Sequence, residues 1–270
     1  MDSKVYAKEP LAFRDTIPVF SKPSDYITNY EQIAADHLAH FYQHGSNPWI
    51  KEDLWTQMEN STADLIAEFS KPGDMILDVG VGLGRLLSRF PNLQRYGMDI
   101  SFQYLRVAQD QGIEVCYAMI EDMPYQKELF DVVVCTDVLE HVLNLHLICT
   151  EILTVLKKDG ILIVRTPYRE DLKRYLDPKY PYQYAHLRNF DENSLNLLFG
   201  RIFGCECLDT VTAGYQANGA RLKYQLPIPR SGGIFSRLLF AVQGINSSSY
   251  DTLFRKMYYP IEINAVFRKK

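Results

Sequence analysis

Ile76-Leu77-Asp78-Val79-Gly80-Val81-Gly82-Leu83-Gly84-Arg85-Leu86 reads as an apolar strand that ends in an acid, passes three alternating glycines and turns into a helix. Glycines at such a turn take backbone conformations closed to other residues and let a ligand approach closely. Amide N–H groups and the start of the helix then face that ligand. An ordinary tight strand–helix turn can look the same, so the flanking residues decide. A dinucleotide fingerprint needs its third glycine where Arg85 stands, to seat a pyrophosphate on the helix. Here that glycine comes one residue earlier, and Asp78 precedes the first. A carboxylate in that place repels a pyrophosphate and suits a ligand with a positive amino group and no phosphate.

Outward from this turn, short apolar runs at 75–79, 96–100, 114–120, 130–136 and 160–166 alternate with helical patterns at 85–90, 104–111 and 145–156. The alternation predicts an α/β chain, a parallel sheet with helices on both faces. A further helix fits 192–203, a strand fits 206–212, and the alternating run 261–267 predicts a last strand. Ahead of the core, Pro10, Pro18 and Pro23 mark residues 1–27 as an extended arm. Two amphipathic helices follow, ended by His44-Gly45-Ser46-Asn47-Pro48 and by Lys71-Pro72-Gly73-Asp74. The expected organisation is one domain: arm and helical cap over 1–62, ligand-binding core over 63–215, an insertion over 216–259 and the last strand over 260–270.

Length and charge narrow the function. A chain of 270 residues suits one domain with a cap. The net charge of −4, with no basic face, argues against a nucleic-acid partner. Met1-Asp2-Ser3-Lys4 is followed by no apolar stretch, and no window is long and apolar enough to span a membrane, so a cytoplasmic location is expected. The five cysteines are odd in number and lack zinc-ligand partners at useful spacing, so they read as reduced thiols, and no metal-ligand cluster is apparent.

Tyr96-Gly97-Met98-Asp99-Ile100-Ser101 puts Asp99 at the end of the second strand, about twenty residues past the glycines, the spacing of an acid that grips two ribose hydroxyls. Its other possible role there is to cap the next helix. Met119-Ile120-Glu121-Asp122-Met123-Pro124-Tyr125 follows the third strand. Phe130-Asp131-Val132-Val133-Val134-Cys135-Thr136-Asp137-Val138-Leu139-Glu140-His141-Val142 forms and follows the fourth.

These four blocks, in order over about residues 63–210, resemble the class I S-adenosylmethionine-dependent methyltransferases. The resemblance implies a Rossmann-like, seven-stranded, mostly parallel sheet with an antiparallel last strand, and S-adenosylmethionine as cofactor. It implies that Gly80, Gly82 and Gly84 pass under the methionine part of the donor beside Asp78, and that Asp99, with Ile100 next to it, meets the ribose. Ile120 and its neighbours Met119 and Glu121 would edge the adenine, and Thr136, Asp137 and Val138 would lie near the amino group and sulfonium. Met119 stands where these enzymes commonly place an Asp for the adenine amino group; Met119 then packs on the ring and Glu121 or Asp122 supplies the polar contact.

Leu139-Glu140-His141-Val142 resembles the small-molecule branch of the family, including quinone and sugar methyltransferases. A hydroxyl nucleophile benefits from a base, and an imidazole suits neutral pH. His141 is one candidate base, its other role being to hold the following loop. His186 is the second, with the alternative of locking the 166–191 loop to the helix at Glu192; Arg188 could also reach an acceptor. In the insertion, Ile234, Phe235, Leu238, Leu239, Val242 and Ile245 share one helical face, which covers a core or serves as a lid or a peripheral membrane contact through 233–245.

The leading expectation is methyl transfer to a hydroxyl of a small-molecule or glycan acceptor. The runners-up are transfer to a quinone or lipid-linked acceptor, and a donor-binding partner subunit without catalysis.

Overall fold

The extended arm lies along a sheet edge in the computed structural model, which describes residues 5–217 and 258–270. Its β1 (Ala12–Arg14) and β2 (Ile17–Val19) form a small hairpin. In α1 (Asp25–His44), Ser24 opens the helix by accepting from the Ile27 amide, and Gly45 closes it at φ 66°. α2 (Glu52–Phe69) completes the helical cap.

The alternation that follows is the expected one: β3 (Met75–Val79), β4 (Gln94–Asp99), α3 (Phe102–Asp110), β5 (Glu114–Tyr117), β6 (Phe130–Thr136) and α4 (Leu145–Val155). Then come β7 (Leu156–Pro167), α5 (Glu192–Leu195, continued by a π-helical stretch over Asn196–Ile202), β8 (Glu206–Ala217) and β9 (Tyr258–Arg268).

The strand order is β1-β2-β5-β4-β3-β6-β7-β9-β8. From β5 to β8 this is the seven-stranded Rossmann-like sheet, with β9 antiparallel to both of its neighbours and parallel pairing from β5 through to β7. The arm adds two strands to it, β2 joining β5 in parallel through Val19 and Tyr117.

The central strands are apolar at nearly every position because both of their faces are covered. Leu77 and Val79 of β3, with Val133 and Cys135 of β6, enter a core shared with Ile148 and Ile152 of α4. Ile76, Val132 and Val134 point the other way, onto Ile66 of α2 and Leu105 of α3. The chain leaves β3 toward β4 and β5, then crosses back to β6 and β7. That reversal opens a crevice beyond the C-terminal ends of β3 and β6, the usual ligand position in such sheets.

Two local expectations change. The helix expected over 85–90 is a single 3₁₀ turn, Leu87–Arg89. Pro91 follows at once, and the residue before a proline is pushed out of helical geometry; Phe90 sits at φ −119°, ψ 65°. The third strand stops at Tyr117, and Ile120–Asp122 forms a 3₁₀ turn in place of its last residues. At the insertion's two ends, β8 continues to Ala217 and β9 begins at Tyr258, while the apolar face over 233–245 lies outside the described residues. Among the described residues no helix is long and apolar enough to cross a membrane. All five cysteines are free.

Candidate active site

A cavity of about 920 Å³ lies at the crevice, under α1 and α2 and beside the 166–186 segment. This is the upper end of the size usual for ligand pockets, with room for two molecules. Every donor-side residue singled out from the sequence lines it except Gly84: Asp78, Gly80, Gly82, Asp99, Ile100, Met119, Ile120, Glu121, Thr136, Asp137 and Val138.

Each glycine of the turn has its own reason. Gly80, at φ 84°, lies so close to Val138 that a Cβ would clash with its side chain. At Gly84, φ 73°, a Cβ would come within 2.7 Å of Ile113 Cδ1 and 3.0 Å of Ala108 Cα, so this glycine seats the turn on α3. The Cβ position of Gly82, φ 50°, has nothing within 4 Å. The turn's amides are used internally: Gly80 and Val81 donate to the Met98 carbonyl, and Gly82 to Asp99 Oδ2 at 3.0 Å. With no long helix behind it and no spare amides at those positions, the turn is poorly made for a phosphate.

The acids at the strand ends have the opposite character. Asp78 is buried, one of its oxygens has no partner, and burial pushes its carboxyl up to about 8. Asp99 accepts from the amides of Gly82, Ile100 and Ser101, which offset a burial effect that still leaves its carboxyl at about 6. Ser101, not Asp99, caps α3 with its side chain. After β5, Ser21 of the arm accepts from the Met119 amide and donates to Asp122. Asp122 is thereby engaged outside the cavity, and Glu121 is the acid left facing it.

The cap is stitched to these same loops. Glu31 of α1 accepts from the Ser101 hydroxyl and the Phe102 amide, at 3.1 Å each. Arg85 is drawn to α2 by Glu52 and Glu59 and stacks over Trp55, 3.7 Å from the ring centroid.

Beyond the β6 turn lies a second group. Asp137, at φ 56°, is ion-paired with Arg165 of β7, which also donates to Thr62. Glu140 is fully buried, and neither of its carboxylate oxygens has a hydrogen-bond partner; burial, reinforced by Asp137, pushes its carboxyl well above the ordinary range. His141 packs edge-on against His186, ring centroids 4.4 Å apart, and burial together with His186 pushes it down to about 3.

The two candidate histidines, 45 residues apart in the chain, are therefore neighbours. His186 does not lock its loop to Glu192, which instead meets Tyr168 and Arg169. Its Nδ1 pairs with Glu170, which also accepts from the Tyr175 hydroxyl at 2.7 Å. Arg188 does not face the cavity; it donates to the carbonyls of Leu139 and Val142 and clamps the 186–188 segment onto the β6 turn.

Sequence reasoning missed Glu140, Arg165, Glu170 and the tyrosine wall formed by Tyr26, Tyr30, Tyr175, Tyr180, Tyr182 and Tyr184. Glu140 stands next to a residue that was singled out, and its neighbour's role was the available signal. Glu170 is sixteen residues from His186, with no spacing pattern to join them.

Residues 77–164 match the family described as methyltransferase domain. An uncharacterized protein of Methanocaldococcus jannaschii is 34% identical over 116 residues, 42% of this chain and 56% of that one. The ubiquinone biosynthesis O-methyltransferase of Glaesserella parasuis is 35% identical over 35% of this chain and 45% of that enzyme. The chain thus spans about half the length of these curated relatives. Magnesium protoporphyrin IX methyltransferase from Synechocystis, solved with bound SAH, shares the fold at a TM-score of 0.57 and 14% identity, over 90% of this chain and 97% of that one. The residues present fit such a donor: an unpartnered buried acid for a cationic amino group, a glycine position open to the cavity, and no phosphate cradle. Residues 77–164 thus match a methyltransferase domain, on a fold shared with the class I methyltransferases.

Proposed function

We propose that this chain, with a class I methyltransferase domain as its core and S-adenosylmethionine as its cofactor, methylates a hydroxyl oxygen of a small-molecule or sugar acceptor. The observation that carries this reading is one cavity shared by the Asp78–glycine–Asp99 set and by the paired His141 and His186. When bound, S-adenosylmethionine supplies a methyl group on a positively charged sulfur, open to in-line displacement.

Asp78 answers the donor's ammonium, Gly80 and Gly82 shape the floor under its methionine part while Gly84 seats their turn on α3, and Thr136, Asp137 and Val138 border the amino group and sulfonium. Asp99 and Ile100 meet the ribose, and Met119, Ile120 and Glu121 edge the adenine. His186, with Nδ1–H donated to Glu170, has its Nε2 left to take the acceptor's hydroxyl proton, and His141 packs against that ring. The tyrosine wall suits a flat or sugar-like acceptor and, with the cap, excludes water.

A net charge of −4 and acids at three strand ends speak against a polyanionic acceptor such as nucleic acid. Free thiols fit a reducing cytoplasm. The likeness to a ubiquinone O-methyltransferase favours a quinone acceptor as the second reading; turnover that depends on detergent or lipid would select it. The direct test is transfer of a labelled methyl group to a panel of sugars, phenols and hydroquinones, read by mass. Label on one hydroxyl class is the expected result, whereas donor bound with no transfer to any acceptor would retire the reading in favour of a silent partner subunit.

Two expectations concern the donor. Asp99→Ala should weaken its binding by about 1.5–3 kcal/mol, the range for hydrogen bonds to a charged group. The melting temperature should fall as well, because three amides lose their acceptor. Unchanged affinity by calorimetry would reassign the ribose contact.

Asp78 adds a pH effect. Without donor its carboxyl, raised to about 8, holds a proton at neutral pH, whereas pairing with an ammonium needs the carboxylate. Donor binding should therefore release up to about one proton near pH 7, and affinity should climb with pH until about 8. The same raised value makes the donor-free fold lose stability as pH rises from the ordinary aspartate range to about 8. Calorimetry in buffers of different ionisation enthalpy measures the released proton; no buffer dependence would mean that Asp78 is not the partner.

A further inference from the structure

Glu140, His141 and His186 come from two separate segments, yet each brings a ligand-type atom to within 4.8 Å of the others. Glu140 is fully buried and neither of its oxygens has a hydrogen-bond partner. A carboxylate left so costs several kcal/mol unless a positive group faces it. The nearby guanidinium groups are committed elsewhere, Arg165 to Asp137 and Thr62, Arg188 to two carbonyls. His141 also has an unpartnered buried Nδ1, while its Nε2 lies 3.9 Å from Glu140 Oε1. His186 has its Nδ1 on Glu170, which leaves Nε2 as the free nitrogen. A carboxylate on the far nitrogen of an imidazole is the usual outer support of a metal-bound histidine, fixing its tautomer and its orientation.

We propose that Glu140, His141 and His186 hold a divalent first-row transition ion at the acceptor end of the cavity, with Glu170 as the positioning residue behind His186. Two imidazoles and one carboxylate suit zinc, manganese, iron or cobalt better than magnesium. Metal–ligand bonds of about 2.0–2.2 Å set ligand atoms roughly 3–3.5 Å apart, so separations of up to 4.8 Å have to close by up to about 1.3–1.8 Å, shared between rotations of the facing side chains. All three residues line the cavity, so the ion keeps coordination positions open to it, as catalytic ions do. An acceptor hydroxyl occupying one of them would be oriented toward the donor and acidified; with the ion bound, His186 Nε2 is a ligand and not the base, and the hydroxyl proton passes to solvent as the methyl is transferred. This deepens the reading of the site as one for hydroxyl methylation and rests on it. It also replaces the expectation, drawn from spacing alone, that the chain has no metal site.

The test uses the full chain, stripped with chelator and titrated with cobalt(II) chloride. Binding is followed by visible absorption and calorimetry, with donor binding measured on the same samples. About one cobalt per chain should bind with intensified visible bands. E140Q and H186A should abolish the bands while donor binding persists, and E170Q should weaken cobalt about 10–100-fold. A chain that binds donor but shows no cobalt bands, or bands that survive in both E140Q and H186A, would overturn the site. Normal cobalt binding without methyl transfer to any hydroxyl acceptor would keep the ion and retire the acceptor reading instead.

Discussion

His186→Ala is expected to lower turnover about 10²–10⁴-fold, the contribution of a positioned acid–base group, while donor affinity by calorimetry stays essentially unchanged. The ring is held by Glu170 and flanked by His141 and Tyr175, and neither Asp78 nor Asp99 is among these partners. Its loss should therefore fall on kcat with the true acceptor rather than on donor binding. A purely structural His186 behaves differently: its removal would lower the melting temperature and loosen the 186–188 clamp, with kcat largely preserved. His141→Ala is the companion measurement. If it silences the enzyme while His186→Ala does not, the proton-taking role belongs to His141; equal and non-additive losses would mark the two rings as one unit.

The second large effect is on stability. Arg165→Ala should cost about 3–5 kcal/mol, the range for removing one partner of a buried ion pair. For a chain of this size that is a melting temperature lower by about 6–20 °C. Arg165 is buried and pairs with Asp137, while Thr62, its other partner, bonds to Asn264 of β9. Glu262, also on β9, is buried with one oxygen unpartnered; burial and Asp137 hold its carboxyl well above the ordinary range, against the opposing pull of Arg165. Without the guanidinium both acids lose their counter-charge, so the variant's folded state takes up protons more readily than the wild type. The deficit should thus shrink as the pH falls. Denaturation curves at pH 5 and pH 8 check the sign, and an equal deficit at both would show that the lost energy is packing and not charge.

What was legible in the sequence follows from which signals are local. The central strands were readable because burial on both faces makes Ile76-Leu77 and Val132-Val133-Val134 continuous apolar runs. Asp78 and Asp99 were readable because strand ends and glycines fix their place within a few residues. The helix expected over 85–90 shrinks to a single 3₁₀ turn because Pro91 pushes the residue before it out of helical geometry, a breaking effect that outweighs the helical pattern. At the acceptor end the decisive relations are non-local. Glu170 faces His186 only because the 166–186 segment folds back over the β6 turn, and Glu140 reads as a surface acid until the clamp from Arg188 buries it. Pairwise spacing carries no trace of either event.

The placement of β9 has a consequence for how the chain acquires its shape during synthesis. β9 enters the sheet between β7 and β8, antiparallel to both. Until it is made, β7 presents an open edge, and β8 has no strand to join. From the end of β8 at Ala217 to the end of β9 at Arg268 the ribosome must add 51 residues. At roughly 5–20 residues per second that is about 3–10 s of waiting with two unsatisfied strand edges in solution. A chain halted within that interval also lacks Glu262 and Asn264, so the pocket's buried polar network forms only after the last strand has slotted in. Nascent chains of this protein therefore pass through an adhesive stage while the segment between β8 and the end of β9 is made, and slowing the ribosome there should raise the fraction that aggregates.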